Sequence, residues 1–455
     1  MLARERDLEA LHAQLSQWLR GKYPSADAVE LTPFKKPSAG VSNETLLFAA
    51  NVREAGRQHE DQLVARLLPG GSLVFPEYDL GRQFRTLRCL WGSNVPVPEA
   101  LWFEEDPRYV GCPFYLMRAV EGVIPSEIPP YHAFGFCLDI SPAQRAALWW
   151  SGIETLARVH ALDWRAHGLS FLGVEEGAGG AVEAQLRYYE RFFHWARGDK
   201  PQPILEAALD WLKRNLYVPK RVALCWGDSR LPNLIFRDQK VVAVLDWEMA
   251  FLGDPEADLA WWLFLDWCHS TGYGIPRLEG LPSEEETVER YQQLSGYAVD
   301  HLHYEKVMAA FRYGVITLRV ARLMLEAKLP IANEEMETNN VCTQWLAEQL
   351  DLPPPGAARA VTHLDQLTAC VQFHLTGAGG SDWYIVAANG KGSRHQGNAE
   401  NPDVTLTVEA ADWQAIQSGE LNRTQAFLGG KLKIEGDVTL LLQLEEIISK
   451  LSGER

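Results

Sequence analysis

The stretch Cys225-Trp-Gly-Asp-Ser-Arg-Leu-Pro-Asn-Leu-Ile-Phe236, followed by Leu245-Asp246-Trp-Glu248, constrains this chain more than any other segment. Apolar residues within Arg221 to Trp226 predict a strand ending just before Gly227-Asp228. Short strands near Leu234 to Phe236 and Val241 to Leu245, joined by the polar turn Arg237-Asp-Gln-Lys240, predict a hairpin. Asp228 then lies beyond a strand end, Asn233 returns to the same cavity, and Asp246 enters from the far end of the hairpin. Phosphoryl transfer to a hydroxyl needs such a set: a carboxylate to accept the attacking hydroxyl's proton, and oxygen ligands for the metal that screens a triphosphate. Asp228 is the candidate base, and Asn233 and Asp246 are the candidate ligands of Mg2+. Magnesium prefers oxygen and keeps some of its waters, so one carboxylate, one amide and phosphate oxygens suffice. Single Gly-Asp and Pro-Asn pairs are ordinary turn residues; the combined order and spacing is far more specific than any one of them.

Composition excludes several other classes. With 455 residues, 47% of them hydrophobic and 23% charged, the chain can build two or three cores and lacks a disordered signature. The longest apolar run, Leu259 to Leu265, stops at Asp266, whereas a membrane-spanning helix needs about 20 apolar residues. Near the N-terminus, Arg4, Glu5, Arg6 and Asp7 precede Leu8, Leu11, Leu15, Trp18 and Leu19 at helical spacing, which suits an amphipathic helix rather than a signal peptide. Seven scattered cysteines without a Cys-x-x-Cys pair indicate neither a disulfide framework nor a zinc site, and a cytoplasmic location is expected. A net charge of −17 repels polyanions, which argues against nucleic acid as a partner and requires local positive charge at any ATP site.

Val29 to Leu68 reads as an antiparallel meander, Tyr78 to Trp91 as a helix, and Cys112 to Val120 as a buried strand. Beyond Ser141 the pattern turns helical, over Ala143 to Trp164, Val182 to Trp195, Pro203 to Leu216, Glu284 to Leu294, Tyr304 to Ala327 and Glu334 to Leu350. A small β lobe over residues 1–120 and a large α lobe over 121–350 are therefore expected. Pro353-Pro-Pro-Gly356 marks a linker, 351–359. In the remainder, 360–455, strands are expected around Val371, Trp383, Val404 and Lys431, with helices at Asp412 to Ile416, Thr424 to Leu428 and Val438 to Leu451, an α+β domain.

The residues Trp-Gly-Asp228, Asn233, Leu-Asp246-Trp-Glu and Gly253-Asp254-Pro-Glu-Ala-Asp258 resemble the aminoglycoside phosphotransferase and choline kinase family, relatives of protein kinases, over roughly residues 25 to 345. Within that family the resemblance is to the kinase-like domains fused to acyl-CoA dehydrogenases. It implies an α+β, protein-kinase-like bilobal fold that uses ATP and Mg2+, with Asp258 bracing the catalytic loop. Gly40-Val-Ser-Asn-Glu-Thr45 resembles the loop over the ATP phosphates, which makes Gly40, Ser42 and Asn43 cofactor-binding candidates. Arg66 stands where the phosphate-binding lysine is usual, and a guanidinium can grip phosphate bidentately. Gln83 occupies the place of that lysine's glutamate partner, with Glu77 and Asp79 as alternatives, and Trp226 replaces a histidine. Phe114 to Val120 resembles the hinge strand that meets adenine, with Met117 and Val120 beside the base. Arg82, Arg85 and Arg88 read as a solvated helix face, and His160 as a hydrogen-bonded structural histidine.

From about residue 360, Asp403-Val-Thr-Leu-Thr-Val408 and Ala426-Phe-Leu-Gly-Gly-Lys431-Leu-Lys-Ile-Glu-Gly436 resemble the sterol carrier protein type two family, which implies a lipid or acyl ligand. Leu440, Leu444 and Ile448 are expected to line a tunnel or close a core. The expected activity is ATP-dependent phosphorylation of a small-molecule hydroxyl, on a hydroxyacyl thioester or another hydrophobic alcohol. The competing expectation, suggested by Arg66 and Gln83, is a catalytically inert nucleotide or lipid sensor.

Overall fold

The structure, a computed structural model, describes residues 6–36, 44–71, 73–173, 180–327, 334–355, 369–388, 391–418 and 431–436. Gly40, Ser42 and Asn43 lie outside the described residues, as do the helices expected at 424–428 and 438–451 with Leu440, Leu444 and Ile448. The described residues of Met1–Leu323 and Glu337–Pro355 form one unit, and those of Met324–Met336 and Gly356–Arg455 a second.

In the first unit, helix α1 (Leu8–Arg20) precedes strands β1 (Ala28–Leu31), β2 (Glu44–Glu54) and β3 (Arg57–Leu67); helix α2 (Leu80–Leu90) then leads to β4 (Ala100–Glu104) and β5 (Phe114–Arg118). The sheet order is β1-β2-β3-β5-β4, antiparallel throughout. Strand alternation sorts the side chains by face. Leu63, Ala65, Leu67, Phe114 and Leu116 meet Leu11, Leu15 and Trp18 of α1, while Val64, Tyr115 and Met117 meet Leu80, Leu87 and Leu90 of α2. Arg66 shares the α2 face, where it pairs in register with Tyr115.

The arginines of α2 are largely the solvated face expected of them: Arg85 and Arg88 are exposed and Arg82 is half-buried. Arg82 donates to the carbonyls of Leu172 and Ala250, Arg88 to that of Ala100, and the Arg85 guanidinium lies 4.0 Å from the Phe171 ring centroid. They hold neighbouring segments while Arg85 and Arg88 still face water.

Helices α3 (Pro142–Ala161), α4 (Gly180–Arg197) and α5 (Pro203–Arg214) lead to β6 (Ala223–Cys225), the hairpin β7 (Leu234–Arg237) and β8 (Lys240–Val244), and β9 (Phe251–Gly253), which pairs with β6. Helices α6 (Glu256–Cys268), α7 (Glu284–Ser295), α8 (Leu302–Glu326) and α9 (Val341–Gln349) complete the unit. The single helix expected over 334–350 is interrupted: Asn340 accepts the Cys342 and Thr343 amides and starts a new helix there. Gly122 passes so close to β7 that a Cβ would sit 2.5 Å from the Phe236 carbonyl oxygen. That approach lets Val123 and Phe236 bridge, which ties the chain leaving β5 to the hairpin.

The second unit holds strands β10 (Ala369–Thr376), β11 (Asp382–Ala388), β12 (Lys391–Gln396) and β13 (Val404–Glu409), helix α10 (Ala410–Ser418) and strand β14 (Leu432–Gly436). The sheet runs β12-β11-β10-β13-β14, with β10 and β13 parallel and the other pairs antiparallel. Its core centres on Phe373 stacked on Trp383 at 3.8 Å, with Trp413 edge-on to Phe373. Among the described residues no helix is long and apolar enough to cross a membrane.

One buried polar group makes the stability of this fold depend on pH. The Tyr217 hydroxyl lies 3.0 Å from Asp254 Oδ2 and 2.7 Å from Glu305 Oε1. A phenol carries one proton and cannot donate to two carboxylates, so the second proton must come from a carboxyl group. Burial, reinforced by the Asp254 charge, pushes Glu305 up to about 8, so Glu305 supplies that proton at neutral pH. Between the ordinary value of 4.5 and about 8 the folded chain holds a proton that the unfolded chain releases, and stability falls as pH rises through that window. Glu305→Gln, which cannot ionise, should gain thermal stability relative to the parent from pH 5 to 8, by roughly 1.4 kcal/mol per unit of pKa displacement removed. Melting curves that stay parallel for the two proteins would show that Glu305 is not protonated.

Candidate active site

The site is organised from α6. This helix is apolar on nearly every side, and its one carboxylate at full burial is Asp258. A carboxylate without water needs donors on both oxygens. Asp258 Oδ1 accepts the Gly227 amide at 2.8 Å, and Oδ2 accepts the Trp226 amide at 2.6 Å and His160 Nε2 at 3.0 Å. His160 therefore carries its proton on Nε2 and accepts the Tyr291 hydroxyl on Nδ1 at 2.7 Å. His160, Cys225 and Asp258 bring potential metal ligands together, but both ring nitrogens and both carboxylate oxygens are already engaged in these bonds. Ser229 Oγ donates to the Asp258 carbonyl at 2.7 Å, so residues 226, 227 and 229 are all fastened to one residue of α6.

Gly227 has φ +89°, and a Cβ there would lie 2.1 Å from the Met249 carbonyl oxygen. Only glycine permits the turn that carries the chain from β6 to Asp228. Asp228 Oδ1 accepts Trp261 Nε1 at 2.8 Å, and Oδ2 accepts Asn233 Nδ2 at 2.7 Å and Arg230 Nε at 3.0 Å. Asn233 thus spends its amide nitrogen on Asp228, which leaves the amide oxygen as the atom for a cation. The Leu245 amide donates to the Asn233 carbonyl at 2.9 Å, which sets Asp246 beside the start of the hairpin. Trp226 Nε1 reaches the carbonyls of Leu245 and Asp246 at 2.7 and 3.2 Å. Asp246 itself has φ +57°, a left-handed conformation that a non-glycine residue adopts only where its surroundings hold it. The two oxygen donors, one amide and one carboxylate, are of the hard type that magnesium takes.

Arg66 reaches this site from β3. Its guanidinium donates to Thr45 Oγ1 and to Asp246 Oδ1, both at 3.3 Å, and its buried Nε has no partner. Burial works against the cation, but the charge of Asp246, with Tyr115 and Glu248, outweighs it and raises the Arg66 pKa. Gln83, buried on α2, forms no hydrogen bond with Arg66, and Asp79 is committed to capping α2 through the Arg82 amide. The partner that the sequence left open is Asp246. Met117 is buried in the core shared with α2, and Val120 lies half-buried where the chain leaves β5.

Sequence reasoning missed Arg230 and Trp261. Arg230 bridges Asp228 and Glu127, donating to Glu127 Oε1 at 2.6 Å. Burial opposes the Arg230 cation, and these two carboxylates more than restore it. A basic residue inside the loop motif was the available signal. Beside it, Arg230, Leu231, Tyr131, Trp262 and His269 line a small cavity, where burial and then the Arg230 charge push His269 down to about 4.

Residues 356–449 match the SCP-2 sterol transfer family. Acyl-CoA dehydrogenase family member 10 of Mus musculus is 30% identical over 305 residues, 64% of this chain and 27% of that protein. Family member 11 of Rattus norvegicus is 31% identical over 300 residues, 64% of this chain and 36% of the relative. The matches thus span about a third or less of those relatives' length. Hydroxysteroid dehydrogenase-like protein 2 of Xenopus tropicalis is 34% identical over 84 residues, 18% of this chain and 20% of the relative. A solved structure, a provisionally assigned aminoglycoside phosphotransferase of Ralstonia eutropha JMP134, shares the fold with a TM-score of 0.55 at 23% identity, over 74% of this chain and 98% of the other. Residues 34–305, more than half of the sequence, match the model of the phosphotransferase enzyme family, and the chain belongs to that family.

Proposed function

We propose that this chain transfers the terminal phosphoryl group of ATP to the hydroxyl of a small apolar molecule, such as a hydroxyacyl thioester. The observation that carries the reading is the convergence of Asp228, Asn233 and Asp246, linked by the 2.7 Å bond from Asn233 to Asp228 and the 2.9 Å bond from Leu245 to Asn233. Asp228 takes the proton of the attacking hydroxyl. Asn233 and Asp246 hold magnesium, which when bound screens the charge of the phosphate oxygens. Arg66 and Arg230 supply the local positive charge that a chain of net charge −17 must concentrate here. Residues 1–120 act as the nucleotide lobe, with Gly40, Ser42 and Asn43 over the phosphates and Met117 and Val120 beside adenine. Residues 121–350 carry the acceptor, 351–359 link, and 360–455 carry lipid.

An apolar acceptor is supported by the rim next to the base. Val123, Ile124 and Ile128 are 48, 47 and 60% exposed around Glu127, which grips Arg230 beside Asp228. The names of the acyl-CoA dehydrogenase relatives and the match to a sterol transfer family point to the same chemistry. One observation favours an inert sensor: Arg66 pairs with the carboxylate assigned to the metal.

Calorimetry separates the two readings. ATP binding should require magnesium, and Asp246→Ala should abolish that magnesium-dependent binding; tight binding that ignores metal supports the sensor. Asp228→Asn should lower turnover at least about a hundredfold while ATP affinity is kept. In a phosphate-transfer screen, hydroxyacyl thioesters should outperform sugars and aminoglycosides, and a preference for the polar acceptors would reject the apolar rim. Mass spectrometry of the purified chain should detect co-purified lipid or acyl ligand.

A further inference from the structure

We propose that Trp261 and Arg312 form a brace that sets the orientation of the Asp228 carboxylate. This rests on the reading of Asp228 as the base. A carboxylate at the end of two rotatable bonds must present one lone pair to the hydroxyl, and small misplacements are costly in rate. Asn233 and Arg230 fix Oδ2, but they approach from the same loop and move with it. Trp261 approaches from α6, 1% exposed, and fixes Oδ1 from outside the loop.

Arg312 of α8 acts behind it. This guanidinium is 2% exposed, donates to the Gly227 carbonyl at 2.8 Å, and leaves Nε without a partner. Its other neighbours include three aromatic rings, with its central carbon 4.3 Å from the Trp261 ring centroid, 4.9 Å from that of Tyr189 and 5.8 Å from that of Phe251, together with the Tyr189 hydroxyl and the Glu305 carboxyl. With Glu305 protonated at neutral pH, this guanidinium lies against the very ring whose N–H serves Asp228. It is well chosen for polarising the indole. A positive charge over the ring draws electron density toward itself and strengthens the N–H that points at Asp228. Guanidinium, indole and carboxylate then stand in series, positive to negative. Because Asp258 holds the Gly227 amide and Arg312 the Gly227 carbonyl, the residue preceding the base is gripped on both of its peptide groups. Both are positioning residues, since neither reaches the reacting atoms.

Trp261→Phe keeps a ring under Arg312 and removes the N–H donor. Turnover should fall about 10- to 100-fold, with the KM for ATP and for acceptor unchanged and the chain still folded, at a melting temperature lowered by the smaller ring's lost packing. In an Asp228→Asn background the same substitution should cost nothing further, because the indole acts through that carboxylate. Arg312→Lys, which keeps a cation and a donor, should retain more turnover than Arg312→Met. Full turnover in Trp261→Phe, or an equal further loss in the Asp228→Asn background, overturns the brace. If the parent chain transfers no phosphate, the proposed function fails separately and NMR decides the brace. The Trp261 indole proton, identified by its loss in Trp261→Phe, should move upfield in Asp228→Asn; an unmoved resonance overturns the brace.

Discussion

The site depends on one buried carboxylate. Asp258 is cut off from water, and its cost is offset by three donors, two of them amides of the loop that carries Asp228. Removing one partner of such a buried charged set typically costs about 3–5 kcal/mol, because the remaining groups are stranded. The loop conformation is therefore set by helix α6, a rigid element, rather than by the loop's own preferences. His160, in turn held by Tyr291 of α7, extends the same network to α3. Three helices thus converge on the peptide groups just before Asp228.

Much of the fold was legible in the sequence, and the failures share a cause. The meander, α2 and the hairpin announce themselves through alternation or helical spacing, because each has one wet face and one dry face. Helix α6 has no wet face: Leu259 to Leu265 is buried throughout, so its sequence is a run without a period. That helix carries both Asp258 and Trp261, so the element most important to the site was the one that periodicity could not reveal. Strand β12 fails in the opposite way. Lys391-Gly-Ser-Arg-His-Gln396 has no apolar alternation, and among the described residues it is an edge strand, paired only with β11. Polar edges of this kind discourage pairing with other chains.

The site residues show a similar division. Asp228, Asn233 and Asp246 lie close in sequence, and the hairpin between them makes their meeting a local matter. Partners that come from far along the chain were invisible. Arg66 and Asp246 are separated by 180 residues, and no spacing rule connects them. Trp226 stands where a histidine is usual, and its indole N–H holds the Leu245 and Asp246 carbonyls. A tryptophan can fill the space of a histidine and still supply one donor, which is what this position uses.

The exchange of lysine for Arg66 has a structural consequence of its own. An ammonium is a compact charge, whereas a guanidinium offers donors along a planar fork. Here that fork spans Thr45 and Asp246, joining β2 to the segment after β8, and Nε remains without a partner. Asp246, held in a left-handed conformation, presents its carboxylate to the fork while Trp226 secures its carbonyl. Backbone strain of this type costs on the order of 1–3 kcal/mol and persists only where neighbours over-determine it. Arg66 and Trp226 grip the same residue at opposite ends, which is sufficient to maintain the strain. An unpartnered guanidinium nitrogen next to a strained carboxylate is a site whose polar groups are incompletely satisfied by protein alone. A phosphate oxygen beside Arg66, and a cation shared by Asn233 and Asp246, would complete both sets at once.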